Sequence, residues 1–468
     1  MGSGGEMRGM SEASSSPTAT RSVFSAGSLV ALLGVYVAVH FHLGTLLIAQ
    51  TNRNRLATDQ QNNIELALKS RADPVPMRTD GVVNPLWPWV ASRFATENQE
   101  AFFARGRWFN LAWTAMAACV GSVLVARALP LSGVAALLFA GGLGALLPAA
   151  VWFQPEPLYF VLFATTGALA WTSLRSNPLP LYAALGGVAG LAYLAKASVT
   201  LLLVAWAGAS VLRWGVGLVA RERWAEWRPL RFVAGSVVMG ALFAGTLLPR
   251  AIYSAEKFGD PLHSYTKYWM WHDDFGGESV PFMAAHPDAA SLRAMTPDQR
   301  PGPANYVARH GWGHVWQRLS AGVRAKLSKF LLPDGRLFPK RSSRGWKSPA
   351  PDRGLWLVPP MLVCAGFAVA GCLARPARAA WDAAGWCRAA FALAGLLLYT
   401  FAYGWYHPIG RGDRFMMSLY LPLLAVAVFG AFGLAGRAGR WPRIACWVTV
   451  ALVLIRMVWV VADPVFSG

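Results

Sequence analysis

Long apolar segments recur along this chain and limit what it can fold into. The first, from Ser25 to Ala49, is long enough to cross a hydrocarbon core of roughly 30 Å as a helix that rises about 1.5 Å per residue. It is too long, and too far from the first residue, to be a cleaved signal peptide. Because a helix satisfies its own backbone hydrogen bonds in lipid, we predict about eleven transmembrane helices. The other predicted spans are 109–128, 130–150, 157–174, 179–195, 197–216, 231–252, 355–373, 388–405, 415–436 and 442–461.

The composition excludes an ordinary soluble protein. Of the 468 residues, 55% are hydrophobic and only 14% are charged, and the mean hydropathy is +0.37. The 43 Lys and Arg residues outnumber the 23 Asp and Glu residues, but this excess lies between apolar segments, where it orients helices and contacts anionic lipid. We therefore expect an all-α polytopic membrane protein whose partners include membrane lipids and not nucleic acid.

Basic residues in the short connections predict the orientation. When the spans are counted from a cytoplasmic N-terminus, these residues collect on the cytoplasmic side, as the positive-inside rule requires. The C-terminus and two large loops, 51–107 and 254–354, then lie on the outer face of the inner or plasma membrane. The basic residues on the predicted cytoplasmic side are Arg127, Arg175, Arg213, Arg221, Arg223, Arg228, Arg231, Arg375, Arg378, Arg388, Arg437, Arg440 and Arg443.

The same count divides the chain into four regions. Residues 1–24, rich in Gly, Ser, Ala and Thr, are predicted to be a disordered cytoplasmic tail. Residues 25–253 form an N-terminal transmembrane module that carries the first outer loop. Residues 254–354 form an extracytoplasmic surface region, and residues 355–468 form the C-terminal transmembrane helices.

Five charged residues fall on the predicted outer side. Their convergence is a result of the predicted orientation and was not used to assign it. They are Asp59, Glu156, Lys196, Arg411 and Arg414. A transferase outside the cytoplasm lacks a nucleotide-activated donor, so its sugar must arrive on a polyprenyl phosphate. That reaction needs a carboxylate to deprotonate the acceptor hydroxyl, a contribution of typically about 10²–10⁴-fold, and cations to stabilise the departing phosphate. Asp59 is a candidate for the first role, and the three basic residues are candidates for the second.

Each of these residues also has a structural interpretation. Asp59 is a favourable N-cap for a helix over Gln60–Lys69, and the charge of Glu156 favours the start of a helix. Lys196 follows a hydrophobic run, where snorkelling to the interface is the default. The sequence leaves the structural and functional interpretations open.

Two further polar sequences are candidates for ligand binding. Arg414 stands at the threshold of a span, where an arginine needs a partner such as Asp413 or a phosphate. The sequence Trp271-His272-Asp273-Asp274 lacks a defined metal-ligand spacing. We therefore predict no cofactor and assign no metal ligands, and the sequence leaves open whether a divalent metal takes part.

The order of several motifs resembles the GT-C superfamily of membrane glycosyltransferases, in the branch of dolichyl-phosphate-mannose protein mannosyltransferases and bacterial aminoarabinose lipid A transferases. The resemblance covers about residues 26–436. In chain order the motifs are the Asp59 loop with its helix, Asp80-Gly…Asn84-Pro-Leu-Trp-Pro-Trp, Glu156-Pro-Leu-Tyr, Gly190-Leu-Ala-Tyr-Leu-Ala-Lys196, Leu248-Pro-Arg250, Phe258-Gly-Asp-Pro261 and His407-Pro…Asp413-Arg414-Phe415.

The resemblance implies a helix bundle whose first outer loop lies on the membrane above a cavity. It implies an inverting transfer from a polyprenyl-phosphate sugar, in which Asp59 is the catalytic carboxylate and Arg414 contacts the donor phosphate. Glu156 matches a second acidic position, near the acceptor or a metal in several branches. The acceptor is left open between a lipid, a glycan and a protein.

The chain also departs from the family pattern. Gln60 and Gln61 follow Asp59 where many members have a further acid, which disfavours a firmly held divalent metal. Asn84 stands where the aminoarabinose branch often has a phosphate-contacting lysine, and Arg78 is a candidate substitute.

The second large loop is the part that resembles the family least. The aromatic residues at its start could stack on sugar rings or form an interfacial belt. We assign three residues of this loop, Tyr265, Trp269 and His272, together with Asp80 of the first loop, as candidate acceptor or sugar contacts. Residues 313–331 read as a basic amphipathic helix on the membrane surface.

Two other functions remain as alternatives. One is a lipid-linked sugar flippase or carrier, although no repeat relates the two halves. The other is an O-antigen ligase or polysaccharide polymerase, which also uses lipid-linked glycans.

Overall fold

The computed structural model describes residues 24–50, 52, 54–56, 59–72, 77–220, 228–331, 366, 383–410, 416–434 and 440–466. Within these ranges the chain is helical and contains no strand, so the predicted all-α class is confirmed. Seven of the described helices are long and apolar enough to cross a membrane. The predicted tail up to residue 23, the span 355–373 apart from residue 366, and both Arg411 and Arg414 lie outside the described residues.

The helices are numbered here in chain order. Among the described residues they are α1 (Ala26–Gln50), α2 (Gln60–Ala72), α3 (Leu86–Ser92), α4 (Gln99–Val125), α5 (Leu131–Ala150), α6 (Glu156–Ser173), α7 (Leu179–Ala195), α8 (Val199–Ala220), α9 (Pro229–Phe258), α10 (Thr266–Trp269), α11 (Val280–Ala285), α12 (Ala289–Ala294), α13 (Pro303–Leu331), α14 (Ala383–Trp405), α15 (Tyr420–Leu434) and α16 (Arg440–Phe466).

Local sequence explains where several helices begin and end. The side chain of Asn98 caps α4 by accepting hydrogen bonds of 3.0 Å from the amides of Glu100 and Ala101. This cap starts α4 ten residues before the predicted span 109–128, so the helix extends beyond its most apolar part. Helix α9 ends at Gly259, whose φ of 71° is the left-handed conformation that glycine adopts without strain.

Helix α5 lies at the centre of the bundle and α9 lies at its edge. In α5, 89% of the most apolar window is buried, against 6% of that window in α9. Helices α1, α4, α15 and α16 all contact α5. Its middle, Leu137–Leu146, is widened into π-helical turns, and Gly142 there leaves room for the ring of Tyr36 from α1. The exposed side of α9 is thus the apolar surface expected to face lipid.

Glycines also bring α7 against α9. A side chain on Gly186 would collide with the backbone of Met239, and one on Gly190 would press on Thr246. This close packing places the end of α9 beside the end of α7.

One end of the bundle carries the described parts of the two large loops, and we call it the loop-bearing end. There α1, α5, α7, α9 and α14 finish and α6, α8 and α15 start. Asn52, just after α1, donates a hydrogen bond of 3.1 Å to the carbonyl of Val151, just after α5. The Arg107 side chain of α4 donates to the carbonyls of Ile48 and Asn52 at 3.3 Å. These contacts place the first loop beside the connection between α5 and α6.

Three short helices, α10 to α12, and the long helix α13 follow α9 and build the described part of the second loop. The predicted helix at 313–331 is present, but it belongs to a longer α13 that starts at Pro303 and is broken at Gly311, where φ is 76° and ψ is 162°. Only glycine reaches that conformation easily. Helix α13 packs against α14, while Trp312 and Trp316 are 74% and 69% exposed.

Candidate functional site at the loop-bearing end

Gln60, next to the predicted catalytic Asp59, attaches the first loop to the bundle. Its fully buried side chain exchanges two hydrogen bonds with Asn52, of 2.7 and 2.9 Å, and accepts a third of 2.9 Å from the amide of Phe153. A buried amide needs such partners. The departure at Gln60 from the acid-rich family pattern therefore has a structural role in this chain.

Asp59 itself is exposed and immediately precedes α2. Its carbonyl accepts hydrogen bonds from the amide of Asn63, at 3.1 Å, and from the Asn63 side chain, at 2.7 Å. Asp59 therefore occupies the N-cap position that the sequence predicted. The anchoring of Gln60 holds this carboxylate at the loop-bearing end, on the same side as Glu156.

A buried ion pair joins two predicted site residues, Glu156 and Lys196. The Lys196 ammonium lies 3.5 Å from a Glu156 carboxylate oxygen, and the two side chains are only 15% and 8% exposed. Glu156 is the first residue of α6, and Lys196 is an extended residue that follows α7. Since a buried charge is costly unless it is paired, each residue holds the other in position.

Three hydroxyl groups lie next to this ion pair. The Tyr159 ring is 5.7 Å from the Lys196 ammonium, and its hydroxyl is 2.8 Å from the Ser198 hydroxyl and 3.3 Å from the Tyr399 hydroxyl. Tyr399 also donates to the Ser198 carbonyl. Helices α6 and α14, the end of α7 and the start of α8 therefore converge on one polar cluster inside the bundle. It is composed of Glu156, Tyr159, Lys196, Ser198 and Tyr399.

Arg78 and Asp80 lie at the end of α9. The Arg78 guanidinium is 5.7 Å from the Tyr253 ring. The Asp80 carboxylate accepts hydrogen bonds from the amides of Val82 and Val83 at 2.8 and 2.7 Å, which makes it the organising residue of a turn. The predicted contact of Arg78 with phosphate and the predicted contact of Asp80 with the acceptor or sugar therefore stay predictions.

The turn at Asp80 also holds the second loop. Gly81 accepts a hydrogen bond of 3.0 Å from the amide of Tyr265, and its φ of 85° together with the Tyr265 ring 3.0 Å from its missing side chain requires glycine. The two large loops are thus in contact at the end of α9.

Three predicted sugar contacts form the interior of the second loop. Tyr265 and Trp269 are each 5% exposed; Tyr265 donates to the carbonyl of His286 at 3.0 Å. His272 lies 2.9 Å from the hydroxyl of Ser279, and burial lowers its pKa. Burial likewise raises the pKa of Tyr265. These side chains stabilise the loop, and a role in binding sugar stays a prediction.

The predicted phosphate-binding pair Arg411 and Arg414 lies outside the described residues, but its preceding neighbour is fixed. The carbonyl of Gly410 accepts a hydrogen bond of 3.1 Å from the buried ammonium of Lys326 in α13. Lys326 was not among the predicted site residues, because its amphipathic helix was interpreted as a surface element.

The structure also assembles a cluster of potential metal ligands that the sequence reasoning missed. Asp273, His310 and His314 lie so that one ligand atom from each falls within 4.8 Å of the others. The spacing of His310 and His314, four residues apart, was the available signal. Asp273 lies 37 residues before His310, and in the sequence it was considered only together with its neighbours His272 and Asp274.

Comparisons with known proteins identify no relative. No family model matches the chain, and neither a curated protein nor a solved structure matches it. The functional argument therefore depends on the residues and their geometry.

Proposed function

We propose that this chain is a membrane glycosyltransferase that transfers a sugar from a polyprenyl-phosphate donor to an acceptor on the extracytoplasmic face. The observation that carries the proposal is the buried Glu156–Lys196 pair at the loop-bearing end. A fixed ammonium in a water-poor site is a strong partner for a phosphate group. The surrounding apolar helices provide the lipid-compatible surface that an isoprenoid chain needs.

The proposed topology has eleven spans. To the seven membrane-length helices it adds the shorter α6, α7 and α15, together with the span 355–373, which apart from residue 366 lies outside the described residues. Arg175, Arg228 and Arg388 then fall at the opposite, cytoplasmic end, in agreement with the positive-inside rule. The loop-bearing end, both large loops and the C-terminus are extracytoplasmic, and a lipid, a glycan or a protein is the acceptor.

In the proposed reaction, the exposed Asp59 carboxylate takes the proton from the acceptor hydroxyl. The acceptor oxygen attacks the anomeric carbon from the face opposite the phosphate, and the bond from that carbon to the phosphate oxygen breaks with its electron pair remaining on the phosphate. The products are an inverted glycoside and the free polyprenyl phosphate. Lys196 stabilises the charge on the departing phosphate, and Glu156 positions Lys196.

The remaining predicted residues have subordinate roles in this scheme. Arg411 and Arg414 are proposed to bind the phosphate beside Lys196. Arg78 and Asp80 are proposed to contact the donor or acceptor where the two loops meet.

The proposal is tested by transfer of radiolabelled sugar in membranes that contain the protein. The donors form a panel of polyprenyl-phosphate sugars, with polyprenyl-diphosphate glycans included to detect a ligase. Asp59→Asn is compared with Glu65→Gln, which removes another acid from the same helix. We expect transfer from one monophosphate donor, a loss of at least about 10²-fold in Asp59→Asn, and little change in Glu65→Gln.

Three results would count against the proposal. Transfer from diphosphate donors alone would identify a ligase or polymerase, and transfer by no donor would remove the enzymatic assignment. Full activity of Asp59→Asn would leave a transferase without the proposed base.

A further inference from the structure

We propose that Asp273, His310 and His314 bind one divalent transition metal ion of the zinc class on the second loop. The proposal is independent of the glycosyltransferase assignment. It depends on the three ligand atoms, which lie within 4.8 Å of one another at a partly exposed position.

The distances suit a shared ion better than direct contacts. The outer carboxylate oxygen of Asp273, Oδ2, lies 3.8 Å from Nε2 of His310 and 3.5 Å from Nε2 of His314. These separations exceed a good hydrogen bond. Ligand atoms about 2.0 Å from zinc in tetrahedral geometry are about 3.3 Å apart. The two carboxylate–imidazole distances are therefore within about half an ångström of this spacing, and rotation of the imidazoles, whose ligand atoms lie within 4.8 Å of each other, would bring them to the same ion.

The Asp273 carboxylate is oriented by groups on its other oxygen. Its Oδ1 accepts hydrogen bonds of 2.8 Å from the Tyr306 hydroxyl and 2.9 Å from the Arg318 guanidinium, so Oδ2 faces the imidazoles. Arg318 is buried and also donates to the carbonyls of Met270 and Trp405. Metal-binding carboxylates are characteristically held by such hydrogen bonds. The carboxylate lies between the guanidinium and the proposed ion.

The break in α13 contributes to the geometry of the histidines. Gly311 lies between them with φ 76° and ψ 162°, yet the rings remain stacked, 4.9 Å apart at 25°. His310 is also 4.5 Å from the ring of Tyr306. Both imidazoles are thereby held on the side of α13 that faces Asp273.

The ligand types select the metal. Two imidazoles and one carboxylate suit zinc and neighbouring transition metals, whereas magnesium and calcium prefer oxygen ligands. Three protein ligands leave a fourth position for water or for an oxygen of a bound solute. The ion would also join the Trp271–Asp274 segment to α13 and so stabilise the second loop.

The first experiment titrates Zn²⁺ into the full-length, chelator-treated protein in detergent by calorimetry. Co²⁺ serves as a spectroscopic probe, because its visible absorption reports tetrahedral coordination. We expect one Zn²⁺ per chain, no comparable binding of Mg²⁺, and a tetrahedral Co²⁺ spectrum. Unfolding of the protein should shift to higher temperature as Zn²⁺ is added.

Variants separate coordination from folding. Asp273→Asn keeps an acceptor for Tyr306 and Arg318 but places an amide nitrogen towards the histidines. It should abolish the site, as should His310→Ala and His314→Ala, with losses larger than the roughly 10–100-fold expected for Tyr306→Phe, which removes only a supporting hydrogen bond. His286→Gln, a histidine of the same loop outside the cluster, should bind Zn²⁺ like the unaltered protein.

The proposal is overturned if the folded protein binds no Zn²⁺. The cluster would then be no more than a set of contacts between Asp273 and the two histidines. It is also overturned if binding persists in His310→Ala and His314→Ala, or if His286→Gln removes it. Failure of sugar transfer would not affect any of these results, and failure of zinc binding would leave the glycosyltransferase proposal standing.

Discussion

Gly322 of α13 lies against the backbone carbonyl of Gly404 in α14 so closely that no side-chain atom fits between them. In return, Val323 occupies the space that a side chain on Gly404 would need. The contact fixes the second loop to a transmembrane helix at one point of backbone-to-backbone packing.

Gly322→Ala should therefore destabilise the protein, by about 1–3 kcal/mol, because a carbonyl cannot yield as a flexible side chain does. Gly313→Ala is the matched control in the same helix, since nothing lies within 4 Å of its added methyl group. Thermal unfolding in detergent, followed by size-exclusion chromatography, measures both. Equal stability of the two variants would show that α13 and α14 separate without cost.

Substitution of Lys196 by Met should cost about 3–5 kcal/mol, since it removes the ammonium that faces the buried Glu156 carboxylate. The double variant Glu156→Gln with Lys196→Met should regain much of that stability, because neither position then carries a charge. A double-mutant cycle on unfolding free energies checks this coupling. The proposed function adds that the double variant, although folded, transfers no sugar; full activity would exclude Lys196 from phosphate stabilisation.

Gln60→Ala should loosen the first loop, because it leaves the buried amide of Phe153 without its hydrogen-bond acceptor, at a cost of about 1–3 kcal/mol. Gln61→Ala is the adjacent control, where only an exposed contact with Glu65 is lost. Limited proteolysis of residues 51–98 should be faster for Gln60→Ala than for the control. Identical digestion rates would contradict the anchoring role of Gln60.

His263 should make the loop-bearing end less stable in acid. Its buried ring stacks on Phe258 at 4.3 Å and meets Tyr265 edge-on. Burial, with the nearby Lys267 and Arg250, lowers its pKa despite the opposing charges of Asp260 and Asp288. The folded state therefore keeps this ring neutral where the unfolded chain, with a pKa of about 6.5, binds a proton.

The sign of the effect follows from that proton. As the pH falls below about 6.5, the unfolded state gains protons that the folded state does not, so the free energy of unfolding decreases until the lowered folded pKa is passed. His263→Phe keeps the ring packing but cannot titrate, and its stability should depend less on pH over this range. Unfolding measured at several pH values for both proteins is the check; parallel curves would exclude His263.

The sequence predicted the all-α class and long apolar helices, of which seven are described at membrane length, but it predicted little of the geometry of the site. Apolar segments such as Ser25–Ala49 predict spans because lipid demands a continuous hydrophobic helix, and α1 confirms that one within a residue at either end. Alternating the spans placed Glu156 and Lys196 on one side, but their pairing depends on how α6 packs on α7. That packing is set by side-chain shape, which hydropathy does not report.

Other site residues were hidden by their separation along the chain. In the sequence, Gln60 is noticeable only because it stands where the resembling family often has an acid. Its hydrogen-bond partner Phe153 is 93 residues away. Asp273 lies far before His310 and His314 in the chain, and the fold brings the three together beside the break in α13 at Gly311. Neither relationship has a signature in local sequence.

The central position of α5 has a consequence for how the protein is made. Helix α16 contacts both α5 and α1, so a segment that is synthesised after α15 packs against helices that were synthesised long before it. Until then, the face of α5 that α16 will cover must be solvated by lipid or held by the insertion machinery. The bundle therefore stays incomplete until α16 is synthesised, and a chain that stops before Arg440 would leave one face of its central helix uncovered.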